Sequence, residues 1–168
     1  MIKIGVIADT HITDSSVKIP KQIEDIFTCV DCIIHCGDFI NNHALTLMTD
    51  LGKPVYAVWG NMDVPELKAK LPEKRIIGLG GIRIGLFHGE GAPDEVRSSV
   101  ERAFNHNDVD VFVFGHSHKP LNLLERGKLF FNPGSAFDKR WAPYCTVGVL
   151  TITNGQCRGE IFPLANLD

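Results

Sequence analysis

The sequence predicts an α/β fold in which two mixed β-sheets pack together and are flanked by helices. Three observations predict it: strand and helix patterns alternate in the first half, hairpin signals dominate the second half, and polar clusters follow the strands. The chain has 168 residues, of which 44% are hydrophobic and 22% charged. These values suit one domain over residues 1–168 with a substantial hydrophobic core.

The first half reads as buried strands alternating with helices. Its strands are short apolar runs, typical of strands covered on both faces, and its helices carry apolar residues at helical spacing. Asn41 or Asn42 can cap one helix, which Gly52 ends, and Pro65 suits the first turn of another. The predicted order is strand 2–8, helix 20–30, strand 32–36, helix 41–51, strand 55–58 and helix 65–71. Such alternation implies parallel strands joined by right-handed crossovers.

The second half contains three predicted hairpins around one helix and one buried strand. Glycine-containing turn signals at 80–81, 126–127 and 153–155 separate the strands of each pair. The predicted elements are strands 75–79 and 82–87, helix 93–104, strand 109–114, strands 121–125 and 128–131, and strands 146–152 and 156–162. The helix has apolar residues on one face, as a helix packed on a sheet requires.

A polar cluster follows each of five predicted strands. In chain order the clusters contain Asp9 and His11, then Asp38, then Asn61 and Asp63, then His88, and finally His116 and His118. Each cluster alone is also typical of a turn or of a buried histidine. Because ligands bind beyond the carboxyl ends of strands in open α/β sheets, we expect the five clusters to meet.

Together the clusters predict a metal site. Several Asp and His side chains are costly to remove from water unless they are paired or bind metal. Oxygen ligands alone would suit magnesium or calcium, whereas added imidazoles favour manganese, iron, zinc, cobalt or nickel. The seven candidate ligands, which are the residues of these clusters other than Asp63, are too many for one ordinary zinc centre. Two metal ions that share one carboxylate fit the set better.

The ordered clusters resemble the motifs of the calcineurin-like metallophosphoesterase superfamily. They stand in this chain as Asp9-x-His11, Gly37-Asp38, Gly60-Asn61-x-Asp63, His88-Gly89 and Gly115-His116-Ser117-His118. The short chain, and the segment Asn132-Pro133-Gly134-Ser135, resemble the compact bacterial and archaeal phosphodiesterase branch. The resemblance extends from residue 2 to about residue 152 and implies a four-layer α/β/β/α sandwich.

The resemblance implies a role for each candidate residue. Asp9, His11 and His118 would bind a first divalent ion, and Asn61, His88 and His116 a second, with Asp38 bridging the two. Mn²⁺ is the expected metal, with Ni²⁺, Fe²⁺, Zn²⁺ and Co²⁺ as alternatives. Asn61, His116 and Asp63 are the expected catalytic residues. The implied activity is hydrolysis of a small phosphodiester by a hydroxide that bridges the two ions.

One position departs from the family pattern. Many members have a histidine between the Asn and the Asp of the third cluster, where it helps to protonate the leaving group, but this chain has Met62. Methionine cannot donate a proton, so we expect a preference for phosphodiesters with acidic leaving groups, such as aryl esters. His43 is the candidate replacement acid, and its alternative interpretation is an exposed histidine at a helix end.

Two other functions share this scaffold. One is a non-catalytic protein-binding module like the retromer trafficking subunit, in which the ligand set is degraded; the other is a nuclease. The net charge of −3 and the lack of a Lys/Arg run make nucleic acid an unexpected partner. The loop over 137–144, which contains Phe137, Arg140, Trp141 and Tyr144, could form a substrate wall or a homo-oligomer contact, and we favour the contact.

The remaining expectations concern location and cysteines. With no apolar run long enough to span a bilayer and no signal-peptide pattern, we expect a cytoplasmic protein without a membrane partner. Cys29, Cys32 and Cys36 could form a thiolate site, but we interpret them as small residues around a buried strand. His35, inside that strand, is expected in the core or behind the metal ligands.

Overall fold

Ten strands and four helices make up the part of the chain that the computed structural model describes, residues 1–105, 108–140 and 142–165. In chain order they are β1 Ile2–Ile7, α1 Lys21–Thr28, β2 Cys32–Cys36, α2 Asn42–Asp50, β3 Val55–Val58, α3 Pro65–Lys70, β4 Lys74–Leu79, β5 Ile82–Phe87, α4 Val96–Ala103, β6 Val111–Val113, β7 Leu121–Glu125, β8 Lys128–Asn132, β9 Cys145–Thr153 and β10 Gln156–Leu164. His106, at which the sequence predicts a solvated turn, and Trp141 of the 137–144 loop lie outside the described residues.

The first sheet has the strand order β10-β9-β1-β2-β3. Strands β1, β2 and β3 are parallel, with Val6 opposite Ile34 and Ile34 opposite Tyr56. Strand β9 runs antiparallel to β1 and forms a hairpin with β10. The carboxyl ends of the three parallel strands therefore lie at the same edge of the sheet.

The second sheet has the strand order β4-β5-β6-β8-β7. Strands β5, β6 and β8 are parallel, and the hairpin partners β4 and β7 are antiparallel at the two edges. Both sheets are thus five-stranded and mixed, which confirms the predicted fold class.

Three apolar clusters hold the layers together. The cluster between the sheets takes alternate residues of the strands, for example Ile4 and Val6 from β1 and Ile84 and Leu86 from β5. A second cluster joins the outer face of the first sheet to α1, α2 and α3, and a third joins the second sheet to α4. Strand β2 is buried along its whole length, as expected for a central strand covered on both faces.

Several element ends differ from the predicted ones by a few residues. The predicted helix over 93–104 begins at Val96, because its first residues form a turn in which the Ala92 N–H donates to Glu95 Oε2 at 3.2 Å. The capping prediction for α2 is confirmed: Asn41 Oδ1 accepts a hydrogen bond from the Ala44 N–H. Within the described residues, none of the helices has the length and apolar character that a membrane crossing requires.

Candidate metal centre

The seven predicted metal ligands meet at one edge of the two sheets. Each follows the carboxyl end of a parallel strand: Asp9 and His11 follow β1, Asp38 follows β2, Asn61 follows β3, His88 follows β5, and His116 and His118 follow β6. Both sheets contribute, so the cluster lies where their edges come together. Asp9, Asp38, His88 and His118 are buried, whereas Asn61 is exposed and His11 and His116 are partly exposed.

Five of these residues adopt a backbone conformation that L-amino acids rarely use. The φ angles are +50° at Asp9, +48° at His11, +58° at Asp38, +66° at His116 and +55° at His118. Such strain costs free energy and persists where the surrounding structure imposes it, most often at functional sites. The left-handed turns direct successive side chains from one loop into the cluster.

Two motif glycines are explained by close approach. A Cβ atom on Gly60 would lie 2.2 Å from Asp38 Oδ1, and one on Gly115 would lie 2.7 Å from Asp9 Oδ2. Both distances are far below van der Waals contact, so any side chain at these positions would displace a ligand carboxylate. The glycines let the backbone pass directly behind the two aspartates.

The first group of donor atoms consists of Asp9, His11 and His118, whose ligand atoms all lie within 4.8 Å of one another. His118 Nε2 lies 3.5 Å from Asp9 Oδ1, and His11 Nε2 lies 3.9 Å from the same oxygen. Asp38 Oδ2 is 3.2 Å from His11 Nε2 and so adjoins this group.

The second group consists of Asp9, Asp38 and His88, again within 4.8 Å. His88 Nε2 lies 3.3 Å from Asp38 Oδ2 and 3.1 Å from Asn61 Oδ1. His116 Nδ1 lies 2.9 Å from the same Asn61 oxygen and 3.3 Å from His88 Nε2. The structure therefore brings all seven predicted ligands together, with Asp38 between the two groups and Asp9 also adjoining both.

The outward nitrogens of three histidines face backbone carbonyls. His88 Nδ1 donates to Cys36 O at 2.6 Å, His116 Nε2 to Gly91 O at 3.0 Å, and His118 Nδ1 to the carbonyl of Asp138 at 2.6 Å. Because a carbonyl only accepts, each outward nitrogen carries the proton. The other nitrogen of each ring faces the cluster, as metal-binding histidines require.

Burial and the neighbouring charged groups compete in setting the pKa values of the cluster. Burial raises the pKa of Asp9 to about 7 and lowers the pKa values of His116 and His118, which favours their neutral forms. Burial alone would raise the pKa of Asp38 as well. Hydrogen bonds from His11 and His88 outweigh this effect and hold the Asp38 pKa below its ordinary range. Burial would lower the pKa of His88, yet Asp38 and Asp9 raise it to about 9.

The donor set fits transition-metal ions. Two carboxylates, one amide oxygen and four imidazoles present their donor atoms to one small volume, and a cation there would offset the repulsion between Asp9 and Asp38. Mixed oxygen and imidazole ligands suit Mn²⁺, Fe²⁺, Co²⁺, Ni²⁺ and Zn²⁺.

We expect metal binding to release protons and to strengthen as the pH rises. With a pKa of about 9, His88 is protonated at pH 7 in the metal-free protein and must lose that proton to become a ligand. Affinity for Mn²⁺, measured by chelator competition between pH 6 and 9, should rise by up to about tenfold per pH unit for each proton released. The rise should be steepest below pH 7, where Asp9 also holds a proton. His43→Gln is the control and should leave the pH profile unchanged, whereas a wild-type affinity independent of pH would contradict the expectation.

Asp63 holds the ligand loops through the backbone. Its buried carboxylate accepts hydrogen bonds from Ile40 N at 2.7 Å, Gly60 N at 2.8 Å and Asp38 N at 3.2 Å. Burial raises the pKa of Asp63. These contacts position Asp38 and the loop that carries Asn61, and the catalytic role expected for Asp63 stays a prediction.

The other residues of interest occupy distinct environments. The Met62 N–H donates to Asp38 Oδ1 at 2.8 Å, while its side chain is 53% exposed. His43 Nε2 donates to Val17 O at 3.0 Å. His35 is buried, stacks on Phe39 with ring centroids 3.5 Å apart, and lies 3.3 Å from Thr10 Oγ1, consistent with the expected core position. The thiols of Cys32 and Cys36 are buried in β2, and Cys29 is exposed.

Asp138 and Arg140 lie beside the cluster, although the sequence motifs assign neither of them a role at the metal site. Asp138 Oδ2 lies 3.5 Å from His11 Nδ1 and accepts a 2.8 Å hydrogen bond from Arg140 Nε. Arg140 Nη2 in turn lies 3.4 Å from His11 Nδ1. The crowding of aromatic and arginine residues in the 137–144 loop was the available signal, but spacing did not indicate that the loop reaches the ligands.

Comparison with known proteins by sequence identifies the family. The family model of the calcineurin-like phosphoesterase superfamily domain matches residues 2–155. A probable metallophosphoesterase of Methanocaldococcus jannaschii is 41% identical over 79% of this chain and 67% of its own length. A phosphodiesterase of the same organism is 30% identical over 79% of this chain and 83% of its own length.

Solved structures share the fold. The structure described as a novel archaeal phosphodiesterase has a TM-score of 0.76 at 24% identity, covering 96% of this chain and all of that one, 100%. Vps29 from Chaetomium thermophilum has a TM-score of 0.77 at 21% identity, covering 98% and 97% of the two chains. At these identities the likeness concerns the fold alone. With the family match over residues 2–155 and the 41% identical relative, this chain belongs to the calcineurin-like phosphoesterase superfamily.

Proposed function

We propose that this protein is a metal-dependent phosphodiesterase that acts on small phosphodiesters and uses two divalent transition-metal ions. The observation that carries the proposal is the convergence of seven donor side chains from five strand ends: five form two adjoining groups, and Asn61 and His116 contact His88 beside them. The phosphodiesterase that is 30% identical supports the reaction class.

The donor groups suggest how two ions would be shared. Asp9, His11 and His118 would hold the first ion, Asn61, His88 and His116 the second, and Asp38 would contact both. Mn²⁺ is the metal we expect, with Ni²⁺, Fe²⁺, Zn²⁺ or Co²⁺ as alternatives. When bound, such a pair lowers the pKa of water and neutralises charge on phosphoryl oxygens.

The residues of the chain supply orientation and access. Asp38 is held from two sides, because its Oδ1 accepts from the Met62 N–H and its own N–H donates to Asp63. Asn61 and His116 are the ligands of the second group that solvent reaches, so they mark the side from which a phosphodiester would approach. Rigid positioning of this kind accounts for much of the rate in phosphoryl transfer.

Arg140 favours the substrate-wall interpretation of the 137–144 loop. Its guanidinium lies beside His11, and its charge lowers the pKa values of His116 and His118, although burial lowers them more. A fixed cation at the rim of the site would attract an anionic diester. Tyr144, which is 60% exposed, remains a candidate for the homo-oligomer contact.

A non-catalytic protein-binding scaffold is the second candidate. The likeness to Vps29 bears on the fold alone and is compatible with either function. The complete donor set favours catalysis, because a scaffold has no need to keep two carboxylates and four imidazoles converged. The net charge of −3 argues against a nuclease.

The proposal is tested by hydrolysis of bis(p-nitrophenyl) phosphate with protein purified without chelators. We expect turnover with Mn²⁺, its loss on chelation and its recovery when metal is restored. Elemental analysis of the same sample should find two transition-metal ions per chain. Two bound ions without hydrolysis of any diester would contradict the phosphodiesterase proposal and leave the scaffold.

A further inference from the structure

We propose that Asp138 is a positioning residue for the first metal ion, through its contacts with both of that ion's histidines. The proposal rests on the metal site of the proposed function and extends it to a residue outside the family motifs. Asp138 lies in the loop after β8, 20 residues beyond His118 and far from His11 along the chain.

Both histidines turn their outward nitrogens to Asp138. His118 Nδ1 donates to the Asp138 carbonyl at 2.6 Å, and His11 Nδ1 lies 3.5 Å from the carboxylate oxygen Oδ2. Their Nε2 atoms face the cluster, 3.5 Å from Asp9 Oδ1 for His118 and 3.2 Å from Asp38 Oδ2 for His11. One residue therefore lies behind both imidazoles of the first donor group.

The position of Asp138 matters because of the proton that a metal-binding imidazole carries on its outward nitrogen. A neutral histidine that binds metal through Nε2 carries its proton on Nδ1, and that proton needs an acceptor. Asp138 provides a carbonyl for one ring and a carboxylate for the other. Without the carboxylate, His11 Nδ1 would face mainly the Arg140 guanidinium, which is also a donor, 3.4 Å away. Two donors facing each other would turn the His11 ring out of its ligand orientation.

The carboxylate is itself held in place. Arg140 Nε donates to Asp138 Oδ2 at 2.8 Å. The Asp138 N–H donates to Ser135 Oγ at 2.8 Å, and Ser135 Oγ donates to the Asp9 carbonyl at 2.7 Å. Ser135, the last residue of the Asn-Pro-Gly-Ser segment, thus ties Asp138 to the strand end that carries two ligands of the same ion.

The test measures metal binding rather than activity. Mn²⁺ affinities and stoichiometry of the full-length protein are determined by chelator competition and elemental analysis for wild type and Asp138→Asn. The substitution keeps the shape of the side chain but replaces the charged acceptor of the His11 Nδ1 proton with a neutral amide oxygen, which accepts more weakly. We expect the affinity for one ion to fall about 10- to 100-fold and the affinity for the other to stay within about twofold.

The matched control is Asp94→Asn, at an exposed carboxylate that pairs with Lys119. The metal-free melting temperatures of both variants should equal that of wild type, because the Asp138 side chain is one-third exposed, at 33%. Unchanged affinities for both ions in Asp138→Asn, or an equal loss in Asp94→Asn, would overturn the role of Asp138. A wild-type protein that binds no transition metal would overturn the proposed function and this inference with it.

Discussion

Asp9→Asn should lower kcat/KM for an aryl phosphodiester by about 1000-fold or more. Asp9 Oδ1 lies within 3.9 Å of three imidazole nitrogens, those of His118, His11 and His88. The substitution keeps the shape of the side chain but removes the charge shared by both donor groups. Metal ions supply several kcal/mol of transition-state stabilisation, and about 4 kcal/mol corresponds to 1000-fold. Steady-state kinetics with metal analysis of the same samples measure the effect.

The fold should survive this substitution. Because burial raises the pKa of Asp9 to about 7, from an ordinary value of 3.8, the folded metal-free protein holds a proton that the unfolded chain loses earlier. The free energy of unfolding of the metal-free protein therefore falls as the pH rises from the ordinary pKa towards the pKa in the folded protein. Asp9→Asn removes this loss of stability, because asparagine does not titrate. At pH 8, we expect the melting temperature of the metal-free variant to be at least as high as that of the metal-free wild type.

Asp14→Asn is the control for the Asp9 experiment, since Asp14 is exposed and accepts its hydrogen bond from the nearby Ser16 N–H. It should retain full activity and two bound ions. Retention of activity in Asp9→Asn, with its metal content intact, would rule out Asp9 as an essential ligand.

Met62→His should raise kcat/KM for diesters with alkyl leaving groups by about 100-fold and change aryl esters little. The Met62 backbone N–H donates to Asp38 Oδ1, so its half-exposed side chain begins beside the proposed bridging ligand. A histidine there can protonate a poor leaving group, and general acid catalysis contributes about 100- to 10,000-fold. Aryl leaving groups depart without a proton and gain little.

A series of diesters with graded leaving-group pKa values measures this change. The wild-type rate should fall steeply as the leaving group becomes more basic, and Met62→His should flatten that dependence. Met62→Gln, which is polar but a poor acid, should behave as wild type. A flat wild-type dependence would show that another acid already acts, and His43→Gln would then determine whether it is His43.

Local patterns predicted most of the secondary structure. The strand β5 at Ile82–Phe87 and the hairpins across 126–127 and 154–155 follow from apolar runs and glycine turns that act over a few residues. Helix ends were predicted less accurately than strands. At α4 the predicted helix begins three residues too early, because a side-chain hydrogen bond within a turn replaces the first helical turn. The predicted ligands met because parallel strands deliver their carboxyl ends to one edge.

The sequence by itself determined the family and the set of candidate ligands, because both are carried by residue types in a fixed order after buried strands. Only the tertiary structure decided how those residues are held. Asp63 holds three backbone amides, and Asp138 lies behind His11 and His118. These contacts join segments far apart in the chain through the paths of loops. Hydrophobic periodicity does not encode loop paths, so the convergence of the candidate ligands could be predicted, whereas the contacts of Asp138 and the backbone contacts of Asp63 could not.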